Sequence, residues 1–367
     1  MRGTRGHVAI IKRRPARRVA CAAMLFACVV AAAHTSAAQN QVDRPSQDRL
    51  DEMRRREGEA LLRLADAAMA GRASSDFSIG WANDFFKAQT GTFVPFTVTI
   101  DRSALTAADA LMYVRATRRD AVAAPVPIRY PFDIIFPVAL SGPPGQPLRI
   151  TRGFAVAPGD YDVYVALRER AANQKGSDRR LKGAVLKQPL TVPDFWTGEL
   201  ATSTVMLADR IEQVTAAVVG DDVLERPYVI GSNEVHRAAG TAFKKDRELI
   251  VVFLIYNPAV ASDKSFDIEV DYHLFRKGGP GRTEAADAAD HPPARPGEAY
   301  VTRTTPQRFK PAAMGANFDP ASGPILAGQG ILLSSSRAGD YRLGITVTDL
   351  VSRKSLSRDV TFKVVGS

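Results

Sequence analysis

The chain has 367 residues, of which 45% are hydrophobic, 8% aromatic and 24% charged. This composition is typical of globular proteins and excludes fibrous and disordered classes for the chain as a whole. The formal net charge is +10, but seven of the 49 basic residues lie within residues 1–38, which hold no acidic residue. Elsewhere 42 basic side chains accompany 39 acidic ones, so the sequence disfavours a nucleic-acid-binding protein.

The N-terminus has the three parts of a secretory signal peptide. Residues 1–18 are basic, residues 19–33 are apolar, and Ser36–Ala38 places small residues before a cleavage site. Because the apolar part is shorter than the roughly 20 residues that span a bilayer, we expect a cleaved signal and an exported chain that does not span the membrane, either periplasmic or extracellular. An uncleaved anchor and a lipoprotein modified at Cys28 are the alternatives.

Both cysteines, Cys21 and Cys28, lie inside the predicted signal. The mature chain would then hold no thiol, which excludes disulfides, thiolate nucleophiles and cysteine-ligated metals from it. Its histidines, His236, His273 and His291, show no His-x-x-x-His spacing, and no Gly-x-Ser-x-Gly motif occurs. The sequence therefore predicts a protein that is not an enzyme and binds no cofactor.

A polar leader and one helix precede the β region. The helix is predicted over residues 46–71, because Ser46 suits its N-cap, Gly71 suits its end, and leucine and alanine recur between them at helical spacing. The apolar stripe is narrow, and the sequence leaves open whether it packs on this chain or on another.

From Phe77 onward, short alternating segments are separated by turn residues, which is typical of β-sandwiches. Residues 249–256 are all apolar, so we expect the outer face of that strand to be covered as well as the inner one. Gly328-Gln329-Gly330 predicts a turn between strands rather than a phosphate-binding loop. Strands are predicted at 93–100, 111–115, 132–140, 148–156, 161–168, 184–192, 202–208, 228–230, 249–256, 266–274, 299–305, 330–335, 341–349 and 359–365.

A repeated pattern divides the β region in two. The sequence Gly-Asp-Tyr occurs in Pro158–Tyr161 and again in Ala338–Tyr341, and each copy leads into an alternating strand. A tyrosine at this place in an immunoglobulin-like sandwich turns its hydroxyl back to the main chain, so Tyr161 and Tyr341 are predicted tyrosine corners. The predicted chain is mainly β: a signal peptide at 1–38, a leader and helix at 39–75, and two immunoglobulin-like β-sandwiches at 76–196 and 197–367.

Several segments resemble exported bacterial proteins. Residues 338–349 and 360–364 look like the last hairpin of secreted bacterial immunoglobulin-like domains. Residues 203–211 and 228–257 resemble the sandwich region of uncharacterised exported proteins of soil-type bacteria, and Trp81–Phe86 with Val94–Phe96 looks like the first domain of similar proteins. The resemblance implies a tandem immunoglobulin-like fold and a setting in the cell envelope, and it carries no activity.

One predicted strand holds the most suggestive set of polar side chains. Asp267, Glu269, Asp271 and His273 alternate with apolar residues, so they point from one face at successive separations of ~6.5–7 Å. Such oxygen-rich groups suit Ca²⁺, which makes a calcium site one hypothesis. Because calcium sites of sandwiches usually lie in loops, we favour a solvent-facing side that pairs with Arg303.

Six basic residues crowd the loop near the end of the first predicted sandwich: Arg168, Arg170, Lys175, Arg179, Arg180 and Lys182. A solvated loop is the favoured interpretation, and contact with a partner such as an acidic glycan or a lipid head group is the alternative. For Trp81 and Trp196 we favour packing in a core or between domains over stacking on a sugar.

These features together favour a non-catalytic exported envelope protein that binds or scaffolds protein partners. A carbohydrate-binding protein of the cell envelope or extracellular space is the second hypothesis. A hydrolase with a carboxylate pair in a cleft between the domains is the third. The expected partner is an envelope protein or polysaccharide, and not a nucleic acid.

Overall fold

The computed structural model describes residues 47–366, apart from residues 73, 121–129, 144, 171–179, 217, 279–291, 315–317 and 321–322. The predicted signal peptide and its cleavage site lie outside the described residues. No helix in the described part of the chain is both long enough and apolar enough to cross a membrane.

In the described chain, eight strands form a first pair of sheets. They are β1 (Gly80–Asn83), β2 (Phe86–Lys87), β3 (Thr92–Ile100), β4 (Asp109–Arg118), β5 (Phe132–Ala139), β6 (Leu148–Val156), β7 (Gly159–Glu169) and β8 (Gly183–Val192). In one sheet β3 pairs with β6 on one side and with β1 and β2 on the other, and the second sheet runs β5-β4-β7-β8. The inner faces of these two sheets share one apolar core, which includes Phe96, Val98 and Met112.

A further twelve described strands form a second pair of sheets. They are β9 (Ala201–Thr202), β10 (Met206–Gln213), β11 (Val229–Ile230), β12 (Asn233–Arg237), β13 (Ala242–Lys244), β14 (Glu248–Tyr256), β15 (Ile268–Lys277), β16 (Glu298–Arg303), β17 (Gln307–Phe309), β18 (Ile325–Leu332), β19 (Gly339–Asp349) and β20 (Lys354–Val365). One sheet runs β11-β12-β10-β14-β18 with β9 also on β14, and the other runs β13-β20-β19-β15-β16 with β17 also on β15. Their core includes Phe253, Tyr272 and Leu343.

The two pairs of sheets repeat one arrangement, as the repeated Gly-Asp-Tyr pattern indicates. The order β5-β4-β7-β8 recurs as β16-β15-β19-β20, and the pair β3 and β6 recurs as β14 and β18. We call β1–β8 the first sandwich and β9–β20 the second sandwich. The chain is therefore mainly β and of the sandwich class. Residues 48–367 cluster as one compact unit, so the predicted domain boundary near residue 196 stays a prediction.

Strand β14 is covered on both faces, as its unbroken apolar run predicts. Alternate residues from Leu249 to Ile255 face the core of the second sandwich. The intervening side chains join a separate apolar cluster with residues of the first sandwich, so the first sandwich supplies the outer cover. We call this cluster the junction; its buried members are Phe86, Phe195, Met206, Ala208, Tyr228, Val235, Val252, Leu254 and Tyr256.

The helix α1 (Gln47–Met69) packs on this chain, which decides between the two options that the sequence leaves open. Leu61 and Ala65 are fully buried against Tyr113 of β4 and Ala166 of β7, on the outer face of the sheet β5-β4-β7-β8. The buried side chain of Arg115 adds a polar contact to the exposed side of this seam, because its Nη1 donates to Asp66 of the helix at 2.7 Å.

The turn predicted at residues 328–330 is wrong, because Gly328 and Gly330 lie inside β18. A side chain at Gly330 would overlap the carboxylate of Glu248 on the neighbouring β14, and a Cβ at Gly328 would lie 3.1 Å from the carbonyl oxygen of Val251. Gly328 therefore permits a close approach to the main chain of β14, and Gly330 leaves room for the Glu248 side chain. Glycines with these roles resemble a turn signal in sequence.

Candidate functional site

The predicted acidic set lies in β15 and directly before it, and its first two residues face cations in β17 and directly after it. Asp267 forms an ion pair with Arg308, with 2.5 Å between Oδ2 and Nη2, and lies 3.5 Å from Nζ of Lys310. The half-buried Glu269 lies opposite Arg308 in the strand register. Hydrogen bonding from the Arg308 guanidinium holds the pKa of Asp267 below its ordinary value.

The other two residues of this set have different surroundings. Asp271 accepts a hydrogen bond from Arg303 at 2.5 Å, which is the pairing that the favoured interpretation predicts. The expectation of a solvent-facing side is wrong at His273, which is 4% exposed and packs beside Tyr300. Within the described residues no group of three His, Cys, Asp or Glu side chains is placed to hold a metal ion. The calcium site stays a prediction.

Two of the predicted basic contact residues join the first sandwich to its N-terminal segment. Arg170 Nε lies 3.1 Å from Oε2 of Glu57 on α1. Arg180 Nη2 lies 3.0 Å from Oδ1 of Asp76, whose Oδ2 also accepts the Gly183 amide of β8. These arginines thus contribute to packing the helix and covering the β8 edge.

The remaining members of the basic set divide between structural contacts and undescribed chain. Lys182 donates from Nζ to the carbonyl oxygen of Ala104 at 2.5 Å, and Arg168 is half-buried on β7. Lys175 and Arg179 lie outside the described residues. The described members of the set therefore contact other residues of this chain or are half-buried. Contact of this set with a partner stays a prediction.

Both predicted corner tyrosines turn back to the main chain. The Tyr161 hydroxyl donates to the carbonyl oxygen of Ala157 at 2.9 Å, and the Tyr341 hydroxyl donates to that of Arg337 at 2.7 Å. Both rings are buried in the sandwich cores. Each tyrosine thus fixes the entry into β7 or β19, which is the geometry of a tyrosine corner.

A buried polar cluster crosses the junction. Asp84, between β1 and β2, is fully buried, and its Oδ2 accepts hydrogen bonds from the Tyr228 hydroxyl at 2.7 Å and from Arg237 Nη1 at 2.6 Å. Tyr228 and Arg237 belong to the second sandwich, so this contact joins the two sandwiches. Among the described residues, Oδ1 of Asp84 and Nε of Arg237 have no hydrogen-bond partner.

The surroundings of Asp84 disfavour its charge. Burial raises the pKa of Asp84, while the Arg237 guanidinium and the Tyr228 hydroxyl act in the opposite direction without cancelling the rise. Burial also raises the pKa of Tyr228, so that the phenol stays a neutral donor. A buried ion pair of this kind adds little net stability, and we expect it to serve the orientation of the two sandwiches.

A solvent-open cleft of about 310 Å³ lies beside this polar cluster. One wall is the outer face of β3 and β6, with Thr97, Arg149 and Thr151. The facing wall comes from the second sandwich. It consists of residues 225–228, at and after the end of the short helix α2 (Asp222–Glu225), and of residues 234–237 of β12. Clefts between packed sandwiches or domains are frequent sites of ligand binding.

The charges that line the cleft are mostly paired. Arg226 Nη2 lies 2.6 Å from Oε2 of Glu234, and Arg152 Nη2 lies 3.7 Å from Oε2 of Glu225. Arg149 is exposed, and no described side chain pairs with its guanidinium. The cleft thus carries a cation that the fold itself does not neutralise.

Sequence reasoning missed these residues. Asp84 is the one acidic residue in the aromatic segment Trp81–Phe86. An acidic residue among aromatic ones is a local signal that could have indicated a buried carboxylate. Arg149, Tyr228 and Arg237 carry no comparable local signal, because their meeting depends on the packing of two sandwiches.

The two tryptophans have different environments. Trp81 stacks on Phe96 of the first core with ring centroids 4.6 Å apart, which is the predicted core packing. Trp196 is 50% exposed, donates from Nε1 to the carbonyl oxygen of Gly91 at 3.1 Å, and lies 4.2 Å from Nζ of Lys87. Its exposure makes it the one of the two that a sugar could reach.

Comparison with known proteins gives a loose structural likeness. No family model matches the chain, and no curated protein matches it. A transglutaminase structure from red sea bream aligns at a TM-score of 0.22 with 13% identity, over 82% of this chain and 33% of that one. A structure of Salmonella alpha-2-macroglobulin aligns at a TM-score of 0.20 with 10% identity, over 80% of this chain and 15% of that one. The chain thus spans a third or less of either protein, and neither likeness bears on what it does.

Proposed function

We propose that this chain is an exported, non-catalytic protein of the cell envelope that binds or scaffolds protein partners. The observation that carries the proposal is the open cleft at the junction, where Glu225 and Glu234 each face an arginine while Arg149 stays unpaired. Carboxylates that face arginines in this way are poorly suited to act as a general acid and base, whereas a cleft with a spare cation suits binding. The signal-like N-terminus supports the exported setting.

Cross-linking in living cells tests this proposal. A C-terminally tagged full-length chain is cross-linked in its native host, purified under denaturing conditions, and the attached proteins are identified and quantified. We expect a protein of the envelope at near-stoichiometric amounts. A tagged secreted protein of similar size, expressed at the same level, serves as the control for chance encounters.

Two results would contradict the proposal. Recovery of the same proteins at the same level with the control would show that nothing binds specifically. Turnover of a polymer or ester substrate by the purified chain, abolished by a carboxylate substitution in the cleft, would make it an enzyme.

A carbohydrate-binding protein is the second candidate, and the exposed ring of Trp196 is the observation that favours it. Aromatic faces contribute to binding by stacking on apolar faces of ligands. Retention of the purified chain on wall or capsular polysaccharide, weakened by Trp196→Ala but not by Leu332→Ala, would support this candidate. Leu332 is a fair control because it is 72% exposed.

A further inference from the structure

Arg149 is a charged group of the cleft that the fold does not use. It stands near the start of β6, exposed, and no described residue forms an ion pair or hydrogen bond with its guanidinium. The other arginines that line the cleft, Arg226 and Arg237, already bind carboxylates of the protein. An anionic group that enters the cleft therefore meets one cation without an intramolecular competitor.

Further hydrogen-bonding groups surround this cation. Thr97 and Thr151 line the same cleft, and their hydroxyls form a hydrogen bond with each other at 3.0 Å, which leaves one hydroxyl proton of the pair free to donate. The Nε of Arg237 is buried and has no partner among the described residues. A guanidinium together with hydroxyl and N–H donors is the donor set that a carboxylate accepts well, since its two oxygens can take several hydrogen bonds.

The cleft continues along the sheet. Arg149 lies opposite Thr99 in the register of β6 and β3. Thr99 lines a second hollow of about 600 Å³, together with the charged pair of residues Asp101 and Arg102 and the polar residues Ser103 and Gln146. The two hollows thus have lining residues at neighbouring positions of β3 and β6, so an extended ligand on this face has more to contact than a single charged group.

The surroundings favour a polypeptide over a sugar chain. Of the two rings among the described residues of the cleft, Tyr228 is 6% exposed with its hydroxyl bound to Asp84, and the His236 imidazole is bound to Glu212. Trp81 stacks inside the first core, and Trp196 does not line this cleft. A pyranose ring would therefore find no open aromatic face among the described residues of the cleft, whereas an acidic side chain needs none.

We propose that this cleft binds an acidic side chain on an extended segment of a protein partner, with Arg149 as its principal cation. The Thr97–Thr151 pair supplies one further hydroxyl donor, and Arg237 lines the same cleft. The inference rests on the proposed function and states which chemistry the partner must offer.

Fluorescence anisotropy with a fluorescein-labelled hexaglutamate peptide tests the proposal on the purified mature chain. We expect measurable binding that weakens as salt rises, and no binding of a labelled hexaglutamine peptide of equal length. Arg149→Gln should weaken hexaglutamate binding about tenfold, the loss of a charge-assisted hydrogen bond, and Arg149→Lys should retain part of it.

Arg72→Gln is the matched control. Arg72 is exposed, follows α1 on the opposite side of the first sandwich, and pairs with no described side chain. The proposal is overturned if hexaglutamate does not bind, if Arg149→Gln has no effect, or if Arg72→Gln weakens binding equally. Binding of oligogalacturonate without binding of hexaglutamate would also overturn it, in favour of an acidic glycan.

The cross-linking experiment separates this inference from the proposed function. A protein partner that is recovered equally well with Arg149→Gln leaves the binding function intact and places the contact elsewhere, so the cleft proposal falls. Selective loss of that partner with Arg149→Gln, and not with Arg72→Gln, supports both proposals.

Discussion

Asp84 and Glu298 are both buried carboxylates that bind an arginine, but their pKa values move in opposite directions. Burial dominates at Asp84 and raises its pKa, because one of its oxygens lacks a hydrogen-bond partner among the described residues. Hydrogen bonds from Arg342 dominate at Glu298 and lower its pKa. The balance between burial, which disfavours the charge, and hydrogen bonds, which favour it, thus decides the direction of each pKa shift.

Asp84→Asn should therefore gain stability relative to the wild-type chain as pH rises. Because the pKa of Asp84 is raised above its ordinary value of 3.8, the folded state holds this proton more tightly than the unfolded state. The wild-type chain then loses stability relative to the variant as pH rises from 3.8 through the raised pKa, and the difference narrows at low pH. Urea unfolding over a pH series measures it.

Glu298→Gln is the control with the opposite sign. The pKa of Glu298 is lowered from 4.5, so its ionised form adds stability that is present above pH 4.5 and is lost as pH falls through the lowered pKa. This variant should be less stable than the wild type at pH 7, with a difference that shrinks in acid. If the wild-type chain instead became more stable relative to Asp84→Asn as pH rises, that result would contradict the raised pKa of Asp84.

The two tyrosine corners should each contribute a small and similar amount to the free energy of unfolding. Tyr161→Phe and Tyr341→Phe remove one hydroxyl that donates to a main-chain carbonyl and leave the ring in place. We expect each to lower the free energy of unfolding by about 1–2 kcal/mol, with retained far-ultraviolet circular dichroism. A loss below ~0.3 kcal/mol for both would show that the corner geometry is incidental.

The helix α1 is stabilised mainly by the face that packs on the sheet. Leu61 is fully buried between the helix and the sheet, whereas Arg63 is 70% exposed and forms an i to i+4 pair with Glu59 at 3.7 Å. An exposed pair of this type contributes only a few tenths of a kcal/mol. The contact with the sheet therefore contributes most of the free energy that holds the helix in place.

Leu61→Ala should lower the free energy of unfolding by about 2–4 kcal/mol, because it leaves a cavity against Tyr113 and Ala166. Arg63→Ala should change it by less than ~0.5 kcal/mol. Hydrogen exchange measures where the loss acts, and we expect faster exchange in α1 first. Equal effects of the two variants would mean that the helix does not depend on this face.

Most elements follow from local patterns, and the exceptions have identifiable causes. The strands around Phe96, Val163 and Val347 alternate clearly, so their positions agree with the periodicity. The five residues of β12, Asn233–Arg237, hold a single buried side chain, which leaves no alternation to detect. In β18 the glycines that admit a close neighbour imitate a turn, which displaced the predicted start of the strand from its actual start at Ile325.

At the scale of the whole molecule, the junction determines which sites exist. The apolar run of β14 predicts that something covers it, but no local feature identifies the cover as the first sandwich. The same holds for the cleft, since Arg149 and Arg237 are distant in sequence and meet through this packing alone. The predicted calcium ligands, by contrast, share one strand. The sequence predicts the pairing with Arg303, but not the ion pair between Asp267 and Arg308.

Leu254→Asp should open the junction. Leu254 is 4% exposed among apolar side chains of both sandwiches, so an aspartate there would be buried without a partner, at a cost of about 3–5 kcal/mol if the two remained packed. We expect a larger radius of gyration in small-angle X-ray scattering and loss of cooperative unfolding. Leu332→Asp, on the adjacent strand but 72% exposed, should leave both unchanged.

The double cover of β14 also limits how these sandwiches can be exchanged between proteins. A recombination that placed the second sandwich beside another neighbour would leave Val252, Leu254 and Tyr256 facing water. The first sandwich would likewise lose the cover over Phe86 and the partners of its buried Asp84. The two sandwiches therefore depend on each other, and each constrains which substitutions the other can accept.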